Sequence, residues 1–187
     1  MNKWKKKRTV KHRYDITAHI YDMRYAEEQT AKIEAAMKNV SIRRNSLVLD
    51  AGCGTGLLFN HIADKAKTVA GLDISRATLL QAKERAKHLA NVHLVLADVD
   101  HMPFKQDTFS HVFAITVIQN SPNYAETLEE IKRVTNPCAV IVVTGLKKAF
   151  SREAFEALLN NAGLEIVTIA DGENLRCHVA ICAKMNH

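Results

Sequence analysis

Val48-Leu49-Asp50-Ala51-Gly52-Cys53-Gly54-Thr55-Gly56 is the stretch that decides how this chain folds. A short apolar run ends on a carboxylate and passes into three glycines at alternate positions. Glycine lets a backbone turn tightly and approach a ligand with no Cβ in the way. The stretch therefore reads as the end of a buried strand, a loop that could meet a ligand, and the start of a helix. The spacing is G-x-G-x-G, whereas the dinucleotide fingerprint G-x-G-x-x-G has its third glycine one residue later, which argues against a nicotinamide-dependent oxidoreductase. A glycine-rich loop alone is a weak signal that a structural turn also explains, so the weight falls on what surrounds it.

Outward from the loop, short runs rich in Val, Ile and Leu alternate with helical patterns, the signature of β-α-β units on a parallel sheet. Strands are predicted at 46–51, 68–73, 92–97, 111–117, 138–144, 164–170 and 177–184. Ser75 is the expected N-cap of a helix reaching about Leu89; Ser121 and Pro122 predict a cap and N1 proline for a helix over Asn123–Val134. Ser151 opens a further helix that Gly163 closes as a left-handed C′ residue. Only Asp171–Asn174 joins the last two strands, too brief for a crossover helix, so they should form an antiparallel hairpin. Residues 14–40 look helical, with Tyr14, Ala18, Tyr21 and Tyr25 on one face; two readings stand, a helix packed on the domain and a lid over a site. Together these elements predict an α/β, doubly wound, mostly parallel seven-stranded sheet with helices on both faces, in one domain spanning 14–187.

Two more acids follow strand ends as Asp50 does: Asp73 in Leu72-Asp73-Ile74 and Asp98 in Leu96-Ala97-Asp98-Val99. Each alone could be a cap, but three on one sheet edge, where open α/β sheets bind ligands, form a constellation. With the loop they resemble a class I S-adenosylmethionine-dependent methyltransferase of the small seven-stranded kind, over nearly the whole chain from Tyr14 to Lys184. The resemblance implies strand order 3-2-1-4-5-7-6 with the seventh antiparallel, and S-adenosylmethionine as cofactor, leaving as S-adenosylhomocysteine. It further implies that Gly52, Cys53, Gly54 and Gly56 lie against the methionine part and Asp50 meets its ammonium group. Asp73, with Ile74 beside it, would hold the ribose hydroxyls, and Asp98, with the backbone of Val99, the adenine. Tyr14-Asp15 and Tyr21-Asp22 resemble a helix that closes over the cofactor, and Thr116 leaves the fourth strand beside it.

Methyl transfer needs alignment more than a dedicated base, and the sequence advertises no catalytic residue. Gln119 and Asn120 stand where many relatives carry a histidine pair, so they, with Tyr21 and Tyr25, are the acceptor-side candidates; a loop cap explains the two amides equally well. The Asn or Asp-Pro-Pro-aromatic motif found in relatives that methylate base amines or amide side chains is absent. Pro137-Cys138 starts the fifth strand, on the edge away from the cofactor, which argues against a cysteine nucleophile. Nine histidines and four cysteines show no ligand spacing, so no metal site is expected.

The 187 residues are 47% hydrophobic and 25% charged, globular values. No apolar run approaches the ~18 residues of a membrane span, and no apolar segment follows the basic amino terminus, so a cytoplasmic protein without membrane insertion is expected. Residues 1–13 carry +7 and the remainder −1, for a net +6. That predicts a basic, flexible tail, either merely solvated or an arm for an anionic partner. Lys147, Lys148 and Arg152 follow the fifth strand on the cofactor edge, and two basic clusters at one cleft mouth favour an anionic acceptor, RNA or a phosphorylated or carboxylated metabolite. No large insertion after the fourth or fifth strand builds an enclosed pocket, which leans the reading to RNA, or an RNA-associated acceptor, over a small anionic metabolite. A cofactor-binding scaffold without turnover is the alternative of another class. The third strand, 92–97, should be an apolar sheet edge able to accept a small activator subunit.

Overall fold

A computed structural model describes residues 2–172 and 174–185; Met1, Glu173 in the expected hairpin turn, Asn186 and His187 lie outside the described residues. In chain order the elements are α1 (Lys3–Met37), β1 (Leu47–Ala51), α2 (Phe59–Ile62), β2 (Thr68–Asp73), α3 (Arg76–Ala86), β3 (Val92–Leu96), β4 (Phe109–Ala114), a 3-10 turn (Ile118–Asn120), α4 (Tyr124–Val134), β5 (Thr135–Leu146), α5 (Arg152–Asn161), β6 (Leu164–Ala170) and β7 (Cys177–Lys184). They form one seven-stranded sheet in the order β3-β2-β1-β4-β5-β7-β6. Every pairing is parallel except those of β7 with β5 and β6. The expected order and hairpin are both present.

Alternation along the central strands sends side chains to two cores. Leu49, Ala51, Val112 and Val143 meet Leu128, Ile131 and Phe155 of α4 and α5 on one face. Val48, Phe113 and Val142 meet Ile33 of α1, Phe59 of α2 and Leu79 of α3 on the other. Fully burying each such side chain contributes about 1.5–3 kcal/mol, so these strands sit firmly under the edge that carries the loops. Parallel register does the rest: Ala51 pairs with Leu72 and Asp73 with Leu96, which brings the carboxyl ends of β1, β2 and β3 level.

Several boundaries differ from the sequence reading. β4 begins at Phe109 and stops at Ala114 rather than running to 117, because Thr116 adopts a left-handed φ of 65° that no strand continues through. α4 begins at Tyr124, one residue after the expected Asn123, and Pro122 is not its first residue: the 3-10 turn uses the preceding residues, and Ser121 Oγ accepts the Asn123 N–H at 3.1 Å instead of capping a helix directly. β5 is longer than expected and α3 ends at Ala86, three residues early. Ser75 and Ser151 cap as expected, accepting from the N–H groups of Thr78 and Ala154, and Gly163 has φ +72°.

The larger correction concerns residues 1–13. Residues 3–13 are the first turns of α1, not a tail. Acids on the domain explain why: Lys3 pairs with Glu126, Lys7 with Asp98 and Asp100, and Lys11 with Asp15, so the basic run is matched by carboxylates distant in sequence or a turn away.

Candidate functional site

The glycine loop is pinned to the end of β2. The N–H groups of Gly52 and Cys53 both donate to the Leu72 carbonyl, at 2.7 and 2.9 Å. The Gly54 N–H donates to Asp73 Oδ2 at 2.9 Å, while Asp73 Oδ1 accepts from the Ser75 N–H at 2.8 Å and the Thr78 hydroxyl at 3.2 Å. Burial raises the Asp73 carboxyl, and these donors oppose it. At Gly52, φ is +79° and a Cβ would lie 2.6 Å from Val117 Cγ2, so only glycine fits. At Gly54, φ is +54° and a Cβ would meet nothing within 4 Å: open space lies above the loop. Gly56 serves packing, since a Cβ there would strike the Phe59 ring at 2.5 Å.

Asp50 has the most unusual environment. It is buried, no hydrogen bond to its carboxyl is found among the described residues, and burial, with the nearby Asp73 charge, pushes its pKa up to about 8. A cationic ligand group would relieve that condition. Burial likewise lifts the Cys53 thiol well above its ordinary range, making it a packing residue rather than a nucleophile.

Two adjoining cavities open on this edge. The larger, about 100 Å³, is bounded by Tyr14, Tyr21, Gly52, Gly54, Asp73, Ile74, Asp98, Val99, Thr116 and Asn120, together with Lys7, Val10 and Asp100. The smaller, about 40 Å³, adds Asp50 and Cys53, with Tyr21 and Gln29. Gly56, Gln119 and Tyr25 border neither. Tyr25 is 40% exposed, and Gln119 Oε1 is buried with no hydrogen-bond partner among the described residues. The donor set fits an elongated ligand: a carboxylate short of donors at one end, an acceptor-rich acid at the centre, a second acid beyond it, and Ile74, Val99 and Val117 as flat apolar walls.

α1 crosses this edge and is tied down mainly by polar contacts. Asp15 accepts from the Ser75 hydroxyl at 2.7 Å, Asp22 accepts from the Thr55 hydroxyl at 2.6 Å and pairs with Arg85, and Asn120 Nδ2 donates to the Tyr14 hydroxyl at 3.1 Å. Tyr14, Tyr21 and Tyr25 form a tilted stack, with centroids 6.0 and 5.1 Å apart, and burial raises the Tyr21 phenol. Gln29 bridges the Tyr21 hydroxyl, at 3.1 Å, and the Thr116 hydroxyl, at 3.0 Å. Lys32, 2% exposed, pairs with Glu28 at 2.7 Å and donates to Thr116 Oγ1 at 3.2 Å. Thr116 is thus held in a left-handed conformation by contacts on every side, including Thr144 Oγ1 on its N–H at 2.8 Å.

Lys7, Asp100, Gln29 and Lys32 carried no motif in the sequence; only the position of Asp100, two residues after Asp98, was a usable signal. The basic rim is also weaker than composition implies. Lys147 pairs with Asp171 at 2.7 Å, and Arg152 with Glu156 at 2.9 Å, which leaves Lys148 as the member of that cluster with no ion pair among the described residues.

Residues 48–138 match a family model described as a methyltransferase domain. A demethylmenaquinone methyltransferase of Staphylococcus haemolyticus is 34% identical over 109 residues, covering 57% of this chain and 46% of the relative. Its counterpart in Staphylococcus aureus is 31% identical over the same length. The chain thus spans less than half of the curated relatives it matches. Among solved structures, a complex between the Haloferax volcanii Trm112 methyltransferase activator and the putative methyltransferase superposes with TM-score 0.83 at 15% identity, over 95% of this chain and 98% of that one. An S-adenosylmethionine-dependent methyltransferase from Aquifex aeolicus gives 0.73 at 18% identity, over 82% and 89%. Loop, strand order and family match agree: residues 48–138 match a methyltransferase domain, and the chain that carries them has the class I S-adenosylmethionine-dependent methyltransferase fold.

Proposed function

We propose that this protein transfers a methyl group from S-adenosylmethionine to RNA, or to an acceptor associated with RNA, and that a small activator subunit docks on the β3 edge. The observation that carries the transferase reading is the row of Asp50, Asp73 and Asp98 around one glycine loop, with Asp50 lacking a donor. Asp50 takes the ammonium group, Asp73 the ribose hydroxyls, and Asp98 with Val99 the adenine.

The bound cofactor supplies an activated methyl group. Asp50, Asp73 and Asp98 would hold that cofactor along the loop edge, with its methyl group presented toward Thr116 and Asn120 for an acceptor lone pair. The chain's work is alignment, which can supply ~7–11 kcal/mol of the barrier. Tyr14 and Tyr21 cover the site against water, and Thr116 and Asn120 border the acceptor side. A nucleophile that already has a free lone pair needs no base, and none is assigned.

Two features favour a large acceptor with a protein partner. Both cavities described above are lined by cofactor-site residues, so an acceptor would bring its own walls or find them on a partner. β3 is a sheet edge whose Leu96 is 57% exposed, and the Haloferax structure pairs its methyltransferase with an activator. A small-molecule acceptor is the second reading, favoured by the demethylmenaquinone methyltransferases.

The test is transfer of labelled methyl groups into a cell extract that is afterwards fractionated and digested. Label released by ribonuclease supports the first reading; label in the lipid or small-molecule fraction supports the second. Leu96→Glu should abolish transfer while leaving S-adenosylhomocysteine affinity within twofold. Undiminished transfer by that variant would refute docking on β3.

A further inference from the structure

The amino-terminal turns of α1 reach into the cavity at its Asp98 end. Lys7 is 6% exposed, and its ammonium lies 2.5 Å from Asp98 Oδ2 and 2.6 Å from Asp100 Oδ2. The Asp100 N–H donates to Asp98 Oδ1 at 3.0 Å, and the Thr127 hydroxyl donates to Asp100 Oδ1, so both carboxylates are fixed from the domain side. Val10 and Tyr14, one and two turns further along the same helix face, line the same cavity. Neighbouring contacts hold this stretch across the cleft: Lys3 pairs with Glu126, Lys6 donates to the Ser121 carbonyl at 2.6 Å, and Arg13 to Asn120 Oδ1 at 2.7 Å. The helix thereby joins the β3 end of the cleft to the segment leaving β4.

We propose that Lys7 belongs to the cofactor pocket: it closes the adenine end over Asp98, making the α1 face of Lys7, Val10 and Tyr14 a wall of that pocket rather than an arm for another molecule. This rests on S-adenosylmethionine being the cofactor. One ammonium against the buried Asp100 and half-buried Asp98 carboxylates leaves an excess of acceptor capacity facing an apolar slot of Ile74, Val99 and Pro122. A flat heterocycle bearing an exocyclic amino group satisfies both the slot and the spare acceptor. Asp98 can serve it because Lys7, paired with both acids, offsets their charge and fixes their orientation; without the ammonium, two like charges would face each other at the end of the cavity.

The chain's single tryptophan, Trp4, is 57% exposed and lies 5.4 Å from the Lys7 ammonium, so its fluorescence reports on this wall. S-Adenosylhomocysteine and 5′-methylthioadenosine, which keeps the nucleoside and lacks the amino acid, are titrated against the full chain and followed by calorimetry and Trp4 emission. Lys7→Met should weaken both ligands at least tenfold and speed their dissociation. Lys7→Arg, which keeps the charge, should recover most of the loss, and Lys5→Ala, on the exposed side of the same helix, should stay within twofold of wild type. Trp4 emission should change on ligand binding in the wild type. Unchanged or tighter binding by Lys7→Met would overturn the proposal, as would loss by Lys7→Met and Lys7→Arg alike. A wild type that binds neither ligand would overturn the cofactor reading itself.

Discussion

Replacing Asp50 by Asn should stabilise the free protein while damaging its site, and the two effects should follow pH in a defined way. The Asp50 carboxyl titrates at an ordinary 3.8 in the unfolded chain and at about 8 when folded, through burial first and the Asp73 charge second. Between those values the folded state holds a proton that the unfolded state has released. The stability this group contributes is therefore fully present below pH 4 and is lost as pH rises towards 8. At 1.36 kcal/mol per unit, the loss reaches about 4 kcal/mol by pH 7. Asn never ionises but leaves a buried amide short of partners, at a cost of about 1–3 kcal/mol. The variant should match wild type near pH 5 and exceed it by about 2 kcal/mol at pH 7, as measured by urea unfolding at pH 5, 6, 7 and 8. S-Adenosylhomocysteine affinity should fall at least tenfold, because its ammonium group loses its partner. For wild type at pH 7, calorimetry in buffers of different ionisation enthalpy should register release of close to one proton on binding. A stability difference that does not change with pH would refute the account of Asp50 as an acid held neutral until a cation arrives.

Asp73→Ala removes the acceptor of the Gly54, Ser75 and Thr78 donors and of the ribose hydroxyls; S-adenosylhomocysteine affinity should drop at least tenfold by calorimetry, and a change under twofold would misplace the ribose. Gly52→Ala should cost about 1–3 kcal/mol in unfolding experiments, because its Cβ strikes Val117. Gly54→Ala meets no protein atom and carries only backbone strain of about 1 kcal/mol, yet its methyl enters the open space over the loop, so it should lose cofactor affinity out of proportion to stability. Asn120→Ala removes the ties to Tyr14, Arg13 and the Thr116 carbonyl and should lower amide exchange protection along the amino-terminal turns of α1. Unchanged exchange there would mean the helix is held by other contacts.

Much of this molecule was legible in its sequence because the relevant signals are local. Strand alternation from Leu47 to Lys184, the caps at Ser75 and Ser151, and the left-handed Gly163 each depend on residues a few positions apart. The short link between β6 and β7 is enough to require an antiparallel pair. The glycine loop and the acids after β1, β2 and β3 were visible for the same reason: in a parallel sheet, the carboxyl end of every strand faces one edge, so position in a strand becomes position in the site.

What the sequence could not settle was the partner of each charge. The run Lys3–Arg13 is a basic tail by composition, solvated or an arm for an anionic partner, and it becomes helix because Glu126, Asp98 and Asp100 lie across the cleft in the folded chain. Lys147 and Arg152 look like a basic rim until Asp171 and Glu156 fold beside them. Thr116 looks like strand until its left-handed turn shows that β4 ends at Ala114. Local pattern fixes backbone and core, because propensity and burial are properties of neighbours in the chain. The electrostatics of the site were decided only by tertiary structure, because an ion pair depends on distance in space, and a carboxylate such as Asp50 takes its character from the donors that fail to reach it.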